Sequence, residues 1–163
     1  MVYSPSGHQV ASGSHDKTVR LWDAQTGAPV SSWSGHKDGV VSVAYSPTGH
    51  HIASGSGDKT VRLWDIHSGQ CQVLLDGFQD VASDIAWKAT IEGIYMAVGG
   101  RNQSVRMWKV AEDEKEIRVC LHWQSAPDTL ILSKASIQGI HGLSEMNIQL
   151  LWQLGALGQP ATP

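Results

Sequence analysis

One string of residues occurs twice and dominates what this chain can become. Tyr3 to Asp23 reads YSPSGHQVASGSHDKTVRLWD, and Tyr45 to Asp65 reads YSPTGHHIASGSGDKTVRLWD, a shift of about 42 residues. A worn third version runs from Trp87 to Lys109, with Ala97 about 44 residues beyond Ala53. Self-similarity at such a period means that each copy is one small unit, too thin to bury a core alone. Each must stack on its neighbours to do so.

The residue types inside each copy select β-structure. Gly39 to Tyr45 (GVVSVAY) alternates and is rich in β-branched residues, as a half-buried strand should be. Strands are predicted at His51 to Ser56, Thr60 to Trp64 and Cys71 to Leu75, separated by turns holding PTG, GDK and HSG. The first copy begins with only the end of an innermost strand, Met1 to Tyr3. It continues through Gln9 to Ser14, Thr18 to Trp22 and Pro29 to Trp33. The third copy gives Val81 to Trp87, Tyr95 to Gly100, Ser104 to Trp108 and Ile117 to Trp123. Its extra length is assigned to a turn over Lys88 to Tyr95, and Val110 to Glu116 (VAEDEKE) reads as a charged, solvated loop.

Beyond Gln124 charged residues become sparse: only Asp128, Lys134 and Glu145. Thr129 to Ile137 reads as one more strand. Leu143 to Gly155 reads as a short helix, with Ser144 as N-cap, Glu145 in the positive first turn and Gly155 as its stop. Leu150, Leu151 and Trp152 would cover an open blade or the core, or dock a partner. The expected division is therefore 1–38, 39–78 and 79–123 for a truncated, a complete and a degenerate unit, with 124–163 as a tail.

Net charge is −3, which argues against a nucleic-acid surface. No run approaches the ~20 apolar residues of a membrane span. MVYSPSGH lacks the apolar segment of a signal peptide, so a cytoplasmic or nuclear setting is expected. Cys71 and Cys120 lie far apart and read as free thiols.

The TVRLWD endings, each after an ASGS-x-DK turn, with SGHKDGVVSVAYSP between them, resemble the WD-repeat family over about residues 1 to 123. The resemblance implies an all-β fold, a partial β-propeller of four-stranded antiparallel blades. Two blades are clear and one is degenerate, followed by the tail strand and helix. It also implies a non-catalytic interaction platform without cofactor, binding protein or peptide partners on its rim. The near-identical copies and the Arg of VRLWD are similar to the propeller portions of fungal NOD-like and vegetative-incompatibility-type proteins. That would make this chain the regulatory propeller of a larger nucleotide-switched protein. No G-x-x-x-x-G-K-[ST] loop occurs in the chain itself.

The family's blades hold a hydrogen-bonded tetrad. By resemblance it falls on His36, Ser54, Asp58 and Trp64. The first copy supplies Ser12, Asp16 and Trp22. The third keeps Trp108 but has Val98, Asn102 and Phe78 where Ser, Asp and His would stand, so apolar packing must hold it. Ser54, His36 and Asp58 are also the types of a hydrolase triad, but the repeat spacing favours a structural clasp. His50 and His51, adjacent in a turn, lack partners at zinc spacing, so no metal site is expected. His15 stands where the second copy has Gly57 and the third Arg101, a place that faces the upper rim by resemblance. Lys17, Lys37, Asp38 and Lys59 fall on the same face. Fewer than the usual 4 to 8 blades are present. The arc would be completed by a longer protein, by self-association through open blade edges, or by the tail strand with Met1 to Tyr3.

Overall fold

The computed structural model describes residues 1–112 and 117–125. The chain divides into a unit of Met1–Pro127 and one of Asp128–Pro163, and every described residue belongs to the first. The strand and helix expected in the tail lie outside the described residues.

Among the described residues the structure is all β, in three four-stranded antiparallel sheets. The first holds β1 (Val2–Tyr3), β2 (Gln9–Gly13), β3 (Thr18–Asp23) and β4 (Pro29–Ser34), in that spatial order. The second holds β5 (Val40–Tyr45), β6 (His51–Ser56), β7 (Val61–Asp65) and β8 (Cys71–Leu75). The third holds β9 (Ala82–Thr90), β10 (Gly93–Gly100), β11 (Val105–Glu112) and β12 (Ile117–Gln124). Each is a meander, as antiparallel strands joined by short turns require. These are the blades of a partial propeller, and among the described residues they form no closed barrel.

The sheets stack face against face, and alternation along the strands supplies both faces. Ala11, Val19, Leu21 and Trp33 of the first sheet pack on Val43, Tyr45, Ile52 and Trp64 of the second. Ala53, Val61 and Leu63, on the second sheet's other face, pack on Ile85, Met96, Val98 and Trp108 of the third. Leu63 is fully buried, a contribution of about 1.5–3 kcal/mol for such a side chain. Glycine lets the sheets approach. A Cβ on Gly13 would lie 2.5 Å from Val40 Cγ1, and one on Gly55 would lie 2.5 Å from the Ala82 carbonyl oxygen. The ASGS string therefore carries its glycine for sheet-to-sheet contact. Among the described residues, each end of the stack presents a sheet face. The expectation of bare strand edges there is corrected, because strand edges lie only along the inner and outer rows of strands.

The turn joining the second and third strands has one geometry in all three sheets. Lys17, Lys59 and Gln103 each adopt positive φ, at 74°, 65° and 64°. Each donates its N–H three residues back, to Ser14, Ser56 and Gly100. A left-handed conformation costs a non-glycine residue about 1–2 kcal/mol, partly offset because glycine loses more chain entropy on folding. Lys17→Gly is expected to raise the unfolding free energy by about 0.5–1 kcal/mol, read as a higher denaturant midpoint at unchanged slope. A lowered midpoint would contradict this account of the turn.

The third sheet departs from expectation in length. In the first two sheets the Asp after the tryptophan ends its strand by accepting from the next turn. Asp23 Oδ1 takes the Thr26 N–H and hydroxyl, both at 2.7 Å, and Asp65 Oδ1 takes those of Ser68, both at 2.6 Å. The third copy has Lys109 there, which accepts nothing. β11 runs on to Glu112, with Val110 buried, so residues 110–112 are strand rather than the expected solvated loop. Lys88 to Thr90 and Gly93 to Tyr95 likewise extend β9 and β10 and leave only Ile91 and Glu92 between them.

Candidate functional site

The second sheet holds a continuous polar chain. Trp64 Nε1–H donates to Ser54 Oγ at 2.8 Å, Ser54 Oγ lies 2.7 Å from His36 Nε2, and His36 Nδ1 lies 3.0 Å from Asp58 Oδ2. A neutral imidazole with its proton on Nδ1 satisfies every link. Ser54 then accepts from tryptophan and donates to Nε2, while Nδ1–H donates to the carboxylate. Burial pushes the His36 pKa below its ordinary value, against the upward pull of Asp58. Burial alone would raise Asp58, but the Thr60 hydroxyl, the Lys37 N–H and His36 hold it at about 2. The Thr60 hydroxyl reaches Asp58 Oδ1 at 2.6 Å and the Lys37 N–H reaches Oδ2 at 2.7 Å.

This chain cannot act as a hydrolytic triad in the folded state. Ser54 is fully buried, and its hydroxyl is engaged by Trp64 and His36. A nucleophile must instead be exposed to substrate beside an oxyanion site. The chain joins three strands' worth of backbone: the segment entering β5, strand β6 with the turn after it, and β7.

The other two copies solve the same position differently. In the first sheet Trp22 Nε1–H donates to Ser12 Oγ at 2.8 Å. Asp16 takes the Thr18 hydroxyl at 2.6 Å and pairs with Arg20, both side chains being exposed. In the third sheet Phe78 packs on Trp108, ring centres 5.8 Å apart, much as His36 sits 6.2 Å from Trp64. The Arg106 guanidinium lies 4.5 Å over Phe78 and donates to the Gly77 carbonyl at 2.7 Å. Asn102 Oδ1 accepts from the Ser104 hydroxyl at 2.6 Å, and Val98 is buried with no polar group to offer.

Residues 1–23 and 27–65 match the WD domain, G-beta repeat. The second WD match starts just before β4 and stops at the end of β7. That match therefore runs from the outer strand of the first sheet through the first three strands of the second, whereas the match over 1–23 stays within β1 to β3 of the first. No match was found among curated proteins.

His15, Lys17, Lys37, Asp38, Lys59 and Arg101 are all exposed and all lie at one end of the sheets. They occupy the turns after β2, β6 and β10 and the segment entering β5. His15 rests against Gly39, and Lys59 Nζ donates to the Gln79 carbonyl at 3.0 Å, so these turns are braced by the neighbouring sheet. The Arg101 N–H donates to the Val81 carbonyl at 3.1 Å.

A second polar cluster went unread in the sequence. His51 is not in a turn but opens β6, and its side chain is 3% exposed. Its Nδ1 lies 3.3 Å from Glu112 Oε1 of the third sheet, and its Nε2 lies 3.2 Å from Gln72 Oε1 and 4.0 Å from Asp65. The Thr48 hydroxyl donates to the other Glu112 oxygen. Burial opposes the charge on His51, yet Glu112, Gln72 and Asp65 together raise its pKa. Burial likewise opposes the Glu112 carboxylate, which His51, Thr48 and Ser46 hold below the ordinary value. The two copies of the repeated string differ at only four places, and His51 for Gln9 is one of them. That substitution was the available signal.

Among the described residues no group of His, Cys, Asp and Glu is arranged to hold a metal ion. No helix among them is long and apolar enough to cross a membrane. Cys71 and Cys120 are free.

Proposed function

We propose that the three-sheet unit is a non-catalytic platform that binds a protein or peptide partner at the end carrying His15, Lys17, Lys37, Asp38, Lys59 and Arg101. WD repeats generally mediate protein interactions. The observation that carries the reading is a contrast of exposure. The Ser–His–Asp set is locked inside the second sheet, whereas the six side chains at the turn end are all open to solvent on braced turns. Short turns on stiff sheets present side chains in fixed positions, which lowers the entropy lost on binding.

The test compares proteins captured from cell extract by the full chain and by two variants. One variant combines Lys17→Asn, Lys59→Asn and Arg101→Glu, asparagine being chosen because it tolerates positive φ. The other combines His8→Glu and His50→Glu at the opposite end. The captured proteins are expected to be lost from the first and kept by the second. Retention by the first variant, or equal loss from both, would refute the assignment.

A further inference from the structure

The internal junctions define what one sheet requires of the next. At each, a glycine on the leading face meets the inner strand of the following sheet: Gly13 against Val40, Gly55 against Ala82. Gly99 holds the same register in the third sheet, opposite Val105 as Gly55 is opposite Val61. Around Gly99 a Cβ would meet nothing nearer than Asp84 Cβ of its own sheet, at 3.9 Å. Val61 is fully buried, but Val105 is 39% exposed, and Trp123, which pairs with Met107 as Val73 pairs with Leu63, is 43% exposed.

The trailing face of the first sheet is open in the complementary sense. It carries Tyr3, Ser12, Arg20 and Trp22, the same four residues that the second sheet presents as Tyr45, Ser54, Arg62 and Trp64. Tyr45 is 7% exposed, whereas Tyr3 is 67% exposed. Trp64 is covered by Trp33 of the preceding sheet, ring centres 5.9 Å apart and nearly parallel. Trp22 has no such cover among the described residues. It lines a shallow cavity of about 410 Å3 with Arg20, Pro29, Val30 and Ser32.

We infer that these two faces dock on each other between two copies of the chain, the Gly99–Val105–Trp123 face of one copy seating on the Tyr3–Trp22 face of the other. The contact is head-to-tail, because the two surfaces differ, and such contacts close into rings when the rotation permits. Two copies supply six of the described sheets, within the roughly 4 to 8 of closed propellers, so a two-fold ring with both faces covered is the expected product. The occupant is argued from continuity. The trailing face is built like one that already packs on a leading face inside this chain. The inference is independent of the partner surface at the turn end.

Sedimentation equilibrium on the full chain tests it. The wild type is expected at twice the 17.6 kDa of one chain. Gly99→Leu, which its own sheet has room for, and Tyr3→Glu, at an exposed site, are each expected to be monomeric while keeping the wild type's β-sheet circular dichroism spectrum. Mixing the two variants is expected to restore a dimer, because one intact leading face then meets one intact trailing face. A wild type that stays monomeric at all concentrations overturns the inference. So does a Tyr3→Glu variant that still dimerises alone, which would mean leading-face to leading-face pairing, and so do open-ended assemblies of the wild type.

Discussion

Trp64→Ala is expected to lower the unfolding free energy by about 3–5 kcal/mol, the range for deleting a buried indole. It should also cost more than Trp108→Ala. Both rings are buried, at 3% and 6% exposure, so their apolar losses are similar. The difference lies in what each leaves behind. Removing Trp64 takes the donor from Ser54 and uncovers Trp33, which stacks on it. Removing Trp108 takes packing from Phe78, a residue with no polar atom to strand. Ser54 keeps its bond to His36, so the expected gap is that of one lost buried hydrogen bond, about 0.5–1.5 kcal/mol. Trp64→Phe separates the two parts, since it keeps most of the ring and deletes the N–H. Equal losses for Trp64→Ala and Trp108→Ala in urea titrations would mean that the polar chain contributes nothing beyond shape.

The repeated string made the strands of the first two sheets legible, because period-2 alternation and the turn residues agree at every position. The third sheet shows where that reading stops. Its charged stretch VAEDEKE looks like loop by composition. Yet Trp108, Val110 and Glu112 fall on one face by alternation, and that face packs on the second sheet. The missing turn residue was visible as Lys109 in the place of Asp23 and Asp65. Its consequence was not, because a longer strand needs a neighbour to receive it, and the receiving Ser46, Thr48 and His51 lie more than sixty residues earlier. Local pattern carries strand identity well. It carries little about which buried charge meets which across two sheets. The glycine of ASGS is a similar case: the string shows that it recurs, and only the packing shows that Val40 and Ala82 require it.

The His51–Glu112 pair is expected to make the contact between the second and third sheets depend on pH at both ends of a window. His51 has a raised pKa in the folded chain. Its stabilising contribution is therefore full below the unfolded value of about 6.5 and is lost as pH rises through the folded one. Glu112 has a lowered pKa. Its contribution is full above the unfolded value of about 4.3 and is lost as pH falls through the folded one. Between those two unfolded values both are charged and attract. Both side chains are only 3% exposed, so deleting one partner strands the other in a poorly solvated seam. Glu112→Ala is expected to cost about 3–5 kcal/mol near pH 6, as for other broken buried pairs. Nδ1 and Oε1 lie 3.3 Å apart, and contact with the carboxylate, by hydrogen bonding and by opposite charge, is what opposes burial in setting the His51 charge. Glu112→Gln, which keeps the shape, therefore discriminates. With the carboxylate gone, burial dominates and the His51 pKa should fall below its ordinary value, reversing the direction seen in the parent chain. An NMR titration of the His51 ring reads this directly. An unmoved His51 titration in Glu112→Gln would mean that Asp65 and Gln72 set its charge, and that the seam is held by packing rather than by the pair.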